Sequence, residues 1–315
     1  MARRETAILV VAVVMFVYFW VSTPNFVGYN NLVTLSQFVA PIAVIGFGEV
    51  MLLTLGEIDL SSGTIFVAMP FLAERLAAHG LPLLLAIVLT VIAGGAVGAI
   101  NGLITILLGL PSFITTLGTL FAIDGVLLLA TNATEAGMPH GATVGTVFGI
   151  YSWSEILWAL GLCVVMYVIL HRSRIGLHVV ATGGNRNGAA EAGVPVRRVV
   201  LWAFVMSGLL ASLIGVIDAI RVGTIDPGNT GTTEMFYAVA AAIIGGTAMT
   251  GGRGTQIGAA IGAIVLGILY VGFTLRGINA NAFILILGIA ILVAMAVNVQ
   301  LGRVSQRRGG RKKAT

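Results

Sequence analysis

The sequence predicts an all-α, polytopic membrane protein of about ten transmembrane helices with glycine-broken junctions, and three observations predict it. Its 315 residues are 58% apolar and 9% charged, against about 25% charged in an ordinary soluble domain. The apolar residues gather into runs of the length that a hydrocarbon slab demands of a helix, about 20 residues. The 42 glycines would weaken soluble helices, but in lipid small residues let helix backbones approach closely.

The runs lie at about residues 6 to 22, 31 to 55, 63 to 78, 81 to 108, 113 to 131, 154 to 171, 199 to 221, 235 to 250, 255 to 275 and 282 to 300. Arg3 and Arg4 before the first run imitate a signal peptide, but the run ends in Tyr18, Phe19 and Trp20 without a small-residue cleavage site. It reads as an uncleaved first helix. Residues 56 to 63, Gly-Glu-Ile-Asp-Leu-Ser-Ser-Gly, interrupt the apolar pattern after the second run. The fourth run carries Gly94, Gly98 and Gly102 on one face, and the ninth carries Gly258 and Gly262; both are packing seams. Residues 245 to 254 form a second glycine-rich break late in the chain, and two such breaks hint at an internal repeat and can mark a transport site.

Seventeen basic residues set the orientation. With both termini cytoplasmic, fourteen fall inside (3, 4, 172, 174, 186, 197, 198, 253, 303, 307, 308, 311, 312 and 313) and three outside, Arg75, Arg221 and Arg276. That split obeys the positive-inside rule and requires an even helix count. Residues 132 to 153, with Glu135 and His140, become the longest external loop, and residues 171 to 198 the longest internal one. The chain then divides into one transmembrane domain, 1 to 301, and a basic cytoplasmic tail, 302 to 315, set against anionic lipid.

Several chemistries are excluded. The only lysines are Lys312 and Lys313, so there is no phosphate-binding P-loop. The basic residues sit at chain ends and short loops without interleaved aromatics, which is not a nucleic-acid footprint. Cys163 is alone, His171 and His178 lack ligand spacing, and no metal site is expected. Ionisable groups are costly at bilayer depth, so Glu49, Glu57, Asp59, Asp124, Asp218 and Glu234 are the candidates for function. Asp59 is expected to cap the start of a helix. Asp218, Arg221 and Asp226, near a helix end, are expected to be solvated. Asn101 lies beside the first glycine seam, where its amide either bonds across helices or faces a polar solute, and Phe113 and Thr116 follow Pro111; the three are placed to meet where the fourth helix turns into the fifth, with at least one of them expected to line a solute path.

Five stretches taken together resemble the ribose, xylose and galactose branch of bacterial ABC importer permeases. They are residues 56 to 63, Asn101-Gly102, Pro-Ser-Phe-Ile-Thr-Thr-Leu-Gly-Thr at 111 to 119, Ala-Thr-Gly-Gly-Asn at 181 to 185 continuing to Ala189 and Gly193, and Gly-Gly-Thr-Ala-Met-Thr-Gly-Gly-Arg-Gly at 245 to 254. The resemblance implies a ten-helix subunit of the cytoplasmic membrane, a homodimeric pore, a separate cytoplasmic ATPase that carries ATP and Mg, and a separate extracytoplasmic sugar-binding protein. It also implies that an internal loop at about 172 to 198 docks on the ATPase through Gly183, Gly184, Asn185, Ala189 and Gly193; the residues themselves, helix-forming Ala189, Ala190, Glu191 and Ala192 bounded by Gly183-Gly184 and Gly193, predict a short amphipathic helix parallel to the membrane. The chain departs from the family pattern at Glu57, where a glycine is usual, at Asp124, where an arginine is usual, and at Met235, Phe236 and Tyr237.

These readings describe a transport subunit that binds no cofactor and performs no covalent chemistry, its solute a monosaccharide or polyol. Two other classes stay open: a secondary transporter driven by an ion gradient, with Glu49, Glu57 or Asp124 as proton relay, and a membrane-embedded transferase.

Overall fold

A computed structural model describes residues 2–139 and 142–278, and beyond them the helical positions 282, 284–286, 288, 289 and 292. In chain order the elements are α1 (Ala2–Ser22), α2 (Tyr29–Leu55), α3 (Ser62–Ala78), α4 (Leu83–Leu108), α5 (Ser112–Thr131), β1 (Ala136–Gly137), α6 (Ala142–Gly145), a π-helical turn (Thr146–Ile150), α7 (Ser154–Arg172), α8 (Arg174–Gly184), α9 (Arg186–Glu191), α10 (Val196–Val222), β2 (Thr224–Ile225), α11 (Thr232–Ile244) and α12 (Gln256–Leu275). Among the described residues, seven helices are long and apolar enough to cross a membrane: α1, α2, α4, α5, α7, α10 and α12. The apolar α3 and α11, of 17 and 13 residues, complete nine of the ten expected runs. Most of the tenth run, the tail from 302 to 315, and His140 lie outside the described residues.

One boundary differs from expectation. The eighth run was read as continuing to residue 250, but α11 stops at Ile244, because Gly246 turns the chain at φ +91° and the Thr247 N–H closes back on the Ala242 carbonyl. Hydropathy cannot see such an end, since glycine, alanine and methionine keep the window apolar.

α2 is the axis of the fold. In an 18-residue apolar window of α2, 94% of positions are buried, against 11% in that of α1, and α2 packs against α7, α10, α11 and α12. The predicted seams are where backbones touch. A methyl group at Gly98 of α4 would fall 2.1 Å from the Phe204 carbonyl oxygen of α10, and one at Gly262 of α12 would fall 2.1 Å from the Ala241 carbonyl oxygen of α11. Glycine at these points removes the atoms that would hold the helices apart.

The helix ends form two opposite faces. On one, β1 pairs antiparallel with β2, Ala136 opposite Ile225 and Gly137 opposite Thr224, which ties the segment after α5 to the end of α10. On the same face Arg221 donates from Nε to Glu155 Oε1 at 2.9 Å and from Nη2 to Asp218. Asp218 and Arg221 are therefore ion-paired and part-buried where solvation was expected, because the start of α7 brings Glu155 against the end of α10. Asp226, exposed, accepts from the Gly228 N–H at 2.7 Å. Arg276, just past α12, donates to Thr23 Oγ1 and to the Ser22 carbonyl at 3.1 and 3.0 Å, so α1 and α12 end together. They also begin together: Thr255 Oγ1 donates to Glu5 Oε1 at 2.6 Å. The opposite face carries α8 and α9.

Candidate functional site

The chain between α2 and α3 is the centre of a buried polar junction. Gly56, at φ +79°, ends α2, and the Gly56 and Glu57 N–H groups return to the Leu53 and Leu52 carbonyls. The residues that follow have no helical acceptors, so their N–H groups must find side chains. The Ile58 N–H donates to Ser112 Oγ at 3.1 Å and the Leu60 N–H to Thr116 Oγ1 at 3.0 Å, both from the first turns of α5. Asp59 Oδ1 accepts from the Ser61 N–H and Oγ at 3.0 and 2.6 Å, and its Oδ2 accepts from Ser207 Oγ of α10 at 2.9 Å. Asn101 of α4 donates to Ser61 Oγ at 2.8 Å, and Ser62 Oγ donates to Glu49 Oε1 at 3.2 Å. Glu49, Asp59, Ser61, Ser62, Asn101 and Thr116 are all fully buried. Four helices are thus held to one non-helical segment by hydrogen bonds in a region where water cannot substitute for them.

The residues expected to meet at the α4–α5 turn are arranged differently. Asn101 and Thr116 both point to the break, one to Ser61 and the other to Leu60. Phe113 is 52% exposed on the outside of α5 and does not join them. The carboxyl of Asp59 holds its own turn and reaches across to Ser207, so its expected capping role extends to another helix. Asp124 lies eight residues along α5 from Thr116, about 12 Å at helical rise, and is half-buried with Oδ1 lacking a hydrogen-bond partner. Asn101 Oδ1 is likewise a buried acceptor without a partner. The serines at 61, 62, 112 and 207 were not singled out from sequence; the first three fall inside recognisable motifs, while Ser207 carries no sequence signal.

The loop after α7 contains two helices where one was expected. Ser173 starts α8 by accepting from the Gly176 N–H, and α8 buries Gly176, Val179 and Thr182 on one face. Asn185 then starts α9 by accepting from the Gly188 N–H at 3.0 Å. The buried Ala189 belongs to α9, and Gly193, at φ +82°, closes it: its N–H reaches the Ala190 carbonyl while the Val194 N–H reaches the Ala189 carbonyl. That double closure needs a left-handed residue, which glycine supplies without strain.

This loop is fastened to the end of α2. A methyl group at Gly183 would lie 1.7 Å from the Thr54 carbonyl oxygen, and the Gly252 N–H donates to the same carbonyl at 2.7 Å. The second glycine break and α8 therefore share one backbone atom of α2. Gly184, by contrast, faces open space. Arg186 Nη1 meets Glu57 Oε1 at 2.9 Å, which takes Glu57 out of the buried junction and into the loop's contact with it. Beside this pair lies a cavity of about 950 Å³ lined by Pro111, Ala190, Arg197 and Arg198 among others.

The chain after the central helix α2 is thus hydrogen-bonded to its neighbours at the break and held at its near end by α8 and α9. Comparison with known proteins identifies the family. Residues 31–295 match the family described as branched-chain amino acid transport system / permease component. The chain is 34% identical to the xylose/arabinose import permease protein XylH of Sulfolobus acidocaldarius, covering 97% of this chain and 87% of that one. It is 29% identical to the ribose import permease protein RbsC of Escherichia coli K12, covering 88% of each, and 30% identical to the D-allose transport system permease protein AlsC of the same strain, covering 92% and 89%. No solved structure matches. With the family model spanning most of the chain and relatives aligned nearly end to end, the protein belongs to the permease family of ABC importers and is a multi-pass transport subunit, not an enzyme.

Proposed function

We propose that this chain is the permease of an ATP-driven importer of a monosaccharide or polyol, two copies enclosing a polar path across the cytoplasmic membrane. The observation that carries the reading is the backbone contact of Gly183 and Gly252 with the Thr54 carbonyl, reinforced by Arg186 and Glu57. A subunit that grips α8 and α9 acts directly on the most buried helix, at the break whose hydrogen bonds also hold α4, α5 and α10. ATP and Mg belong to that separate ATPase, and the permease itself binds no cofactor. Two nucleotide states of the partner then bias two packings of the bundle.

The face with α8 and α9 is assigned to the cytoplasm, with both termini. Arg172, Arg174, Arg186, Arg197, Arg198 and Arg253 belong to segments on this side, whereas Arg75, Arg221 and Arg276 close helices at the other. The opposite face, with the paired strands, receives the sugar-binding protein. Exposed apolar side chains such as Val14, Phe121, Leu129 and Val164 meet lipid or the second copy. A sugar is preferred to an amino acid because the relatives compared are named for pentoses and a hexose.

The test is uptake in cells that lack their own sugar importers and express the permease with an ABC ATPase and an exported binding protein. Labelled D-xylose, L-arabinose, D-ribose and D-allose are supplied, with L-leucine as the contrasting solute. Accumulation of an aldose that requires the ATPase's phosphate-binding lysine supports the proposal. Uptake that ignores this lysine and collapses with a protonophore supports the ion-gradient alternative and overturns it.

A further inference from the structure

A second cavity, of about 280 Å³, opens between α2, α3, α10, α11 and α12 on the face that carries the paired strands. Its size is near the lower end of small-molecule sites, about 300 Å³. We propose that it is an extracytoplasmic subsite that holds one monosaccharide ring as the solute enters the permease; this rests on the transport reading above.

The wall is aromatic. Phe38 of α2 stacks on Tyr270 of α12 with ring centroids 4.2 Å apart and planes 8° from parallel, and Tyr237 of α11 lies 5.7 Å from Phe38. Such rings cover the C–H face of a sugar without competing for its hydroxyls. The remaining lining supplies hydrogen bonds. Glu234 Oε2 is a buried acceptor with no hydrogen-bond partner. Asn229 turns its Oδ1 onto the Gly231 N–H at 3.0 Å, which leaves its amide hydrogens to donate. Gln37 contributes an amide, and Pro41, four residues on, removes the helical donor that its carbonyl would have used.

The charges select a neutral ligand. Among the lining residues the cation is Arg221, and its guanidinium is committed to Glu155 and Asp218. Asp218 and Glu234 together outnumber it, so a carboxylate or phosphate would be repelled and would find no unpaired cation. Sugar hydroxyls donate to exactly the kind of acceptor that Glu234 leaves empty. A smaller cavity of about 170 Å³ shares Phe66, Asp218 and Asn229, which continues the polar surface beside the paired strands.

The experiment uses the assembled importer. With Cys163, the single cysteine, replaced by serine, Thr34→Cys places a thiol on the cavity's exposed rim. Its modification by 2-sulfonatoethyl methanethiosulfonate is timed with and without each of the four aldoses, and with L-leucine. Slowing by an aldose but not by leucine supports the subsite; equal rates throughout overturn it, whatever uptake does. In parallel, Glu234→Gln and Tyr237→Ala are expected to lower aldose uptake about tenfold each, the effect of losing one good hydrogen bond or ring contact, with Tyr237→Phe restoring it. Parental uptake in both variants would also overturn the proposal. A parent complex that imports none of the aldoses overturns the transport reading instead, and because thiol protection is read without transport, the two failures are distinguishable.

Discussion

Arg186 of α9 donates to Glu57, just past the end of the central helix α2, at 2.9 Å, joining positions 129 residues apart. The arginine is 51% exposed and the glutamate 8%. With one partner in water, the pair contributes less than about 1 kcal/mol to stability, so its importance is expected in coupling. Glu57→Ala and Arg186→Ala should each lower the sugar imported per ATP hydrolysed while leaving expression unchanged. The exchange Glu57→Arg with Arg186→Glu should recover part of it. A double-mutant cycle in transport stoichiometry checks this, and additive losses would dissociate the pair from coupling.

The two glycines at the end of α8 should behave oppositely. Gly183→Ala drives a methyl group into the Thr54 carbonyl, whereas Gly184→Ala meets nothing within the protomer. The first is expected to disrupt the clamp, lowering the melting temperature of the purified permease and abolishing uptake. The second should fold with the parental melting temperature, and any loss of uptake it shows then reports contact with the ATPase. Equal melting temperatures for both would contradict the geometry.

At the buried break, Thr116→Val removes the acceptor of the Leu60 N–H, a cost of about 1–3 kcal/mol for an unsatisfied buried donor. Thr116→Ser keeps it. Thermal unfolding in detergent should rank parent and serine variant together, above valine. Asn101→Leu should destabilise comparably by abandoning Ser61. Phe113→Ala, at a 52% exposed position, is expected to leave protomer stability unchanged.

Orientation is checked by two cysteines in the Cys163→Ser background. Thr134, beside the paired strands, and Asn187, in α9, are both exposed on opposite faces. An impermeant thiol reagent added to intact cells should modify the first and spare the second until the membrane is opened. The reverse pattern would invert the assignment.

Helix existence was legible because each span is a long apolar run, and the starts and stops at Gly56, Pro82, Pro111 and Gly223 fall on residue types favoured at helix ends, although Pro41 and Gly98 sit inside α2 and α4. The end of α11 was marked by the glycine-rich break at 245 to 254 but not by hydropathy, since Gly245 and Gly246 sit inside an apolar stretch. Asn101 and Thr116 were recognisable as polar residues out of place in a membrane, but their shared target was hidden, because it depends on how α4 and α5 cross the end of α2. Sequence placed them at the turn that connects their own helices; tertiary packing sends both to a third. Ser207 and the lining of the smaller outer cavity were out of reach for the same reason. Gln37, Asp218, Glu234 and Tyr270 come from four helices, and no local spacing announces their meeting.

The meeting of α8, the second glycine break and α2 at the Thr54 carbonyl has a mechanical meaning. Long side chains between two elements act as springs, since a small displacement is absorbed by rotation about their χ angles. Here main chain bears on main chain, with glycine on one side and a peptide hydrogen bond on the other. Peptide units do not compress, and close-packed interiors yield little. The joint therefore has almost no backlash: a stroke applied to the loop reaches the central helix at nearly full amplitude, and the distance it travels is set by whatever grips the loop.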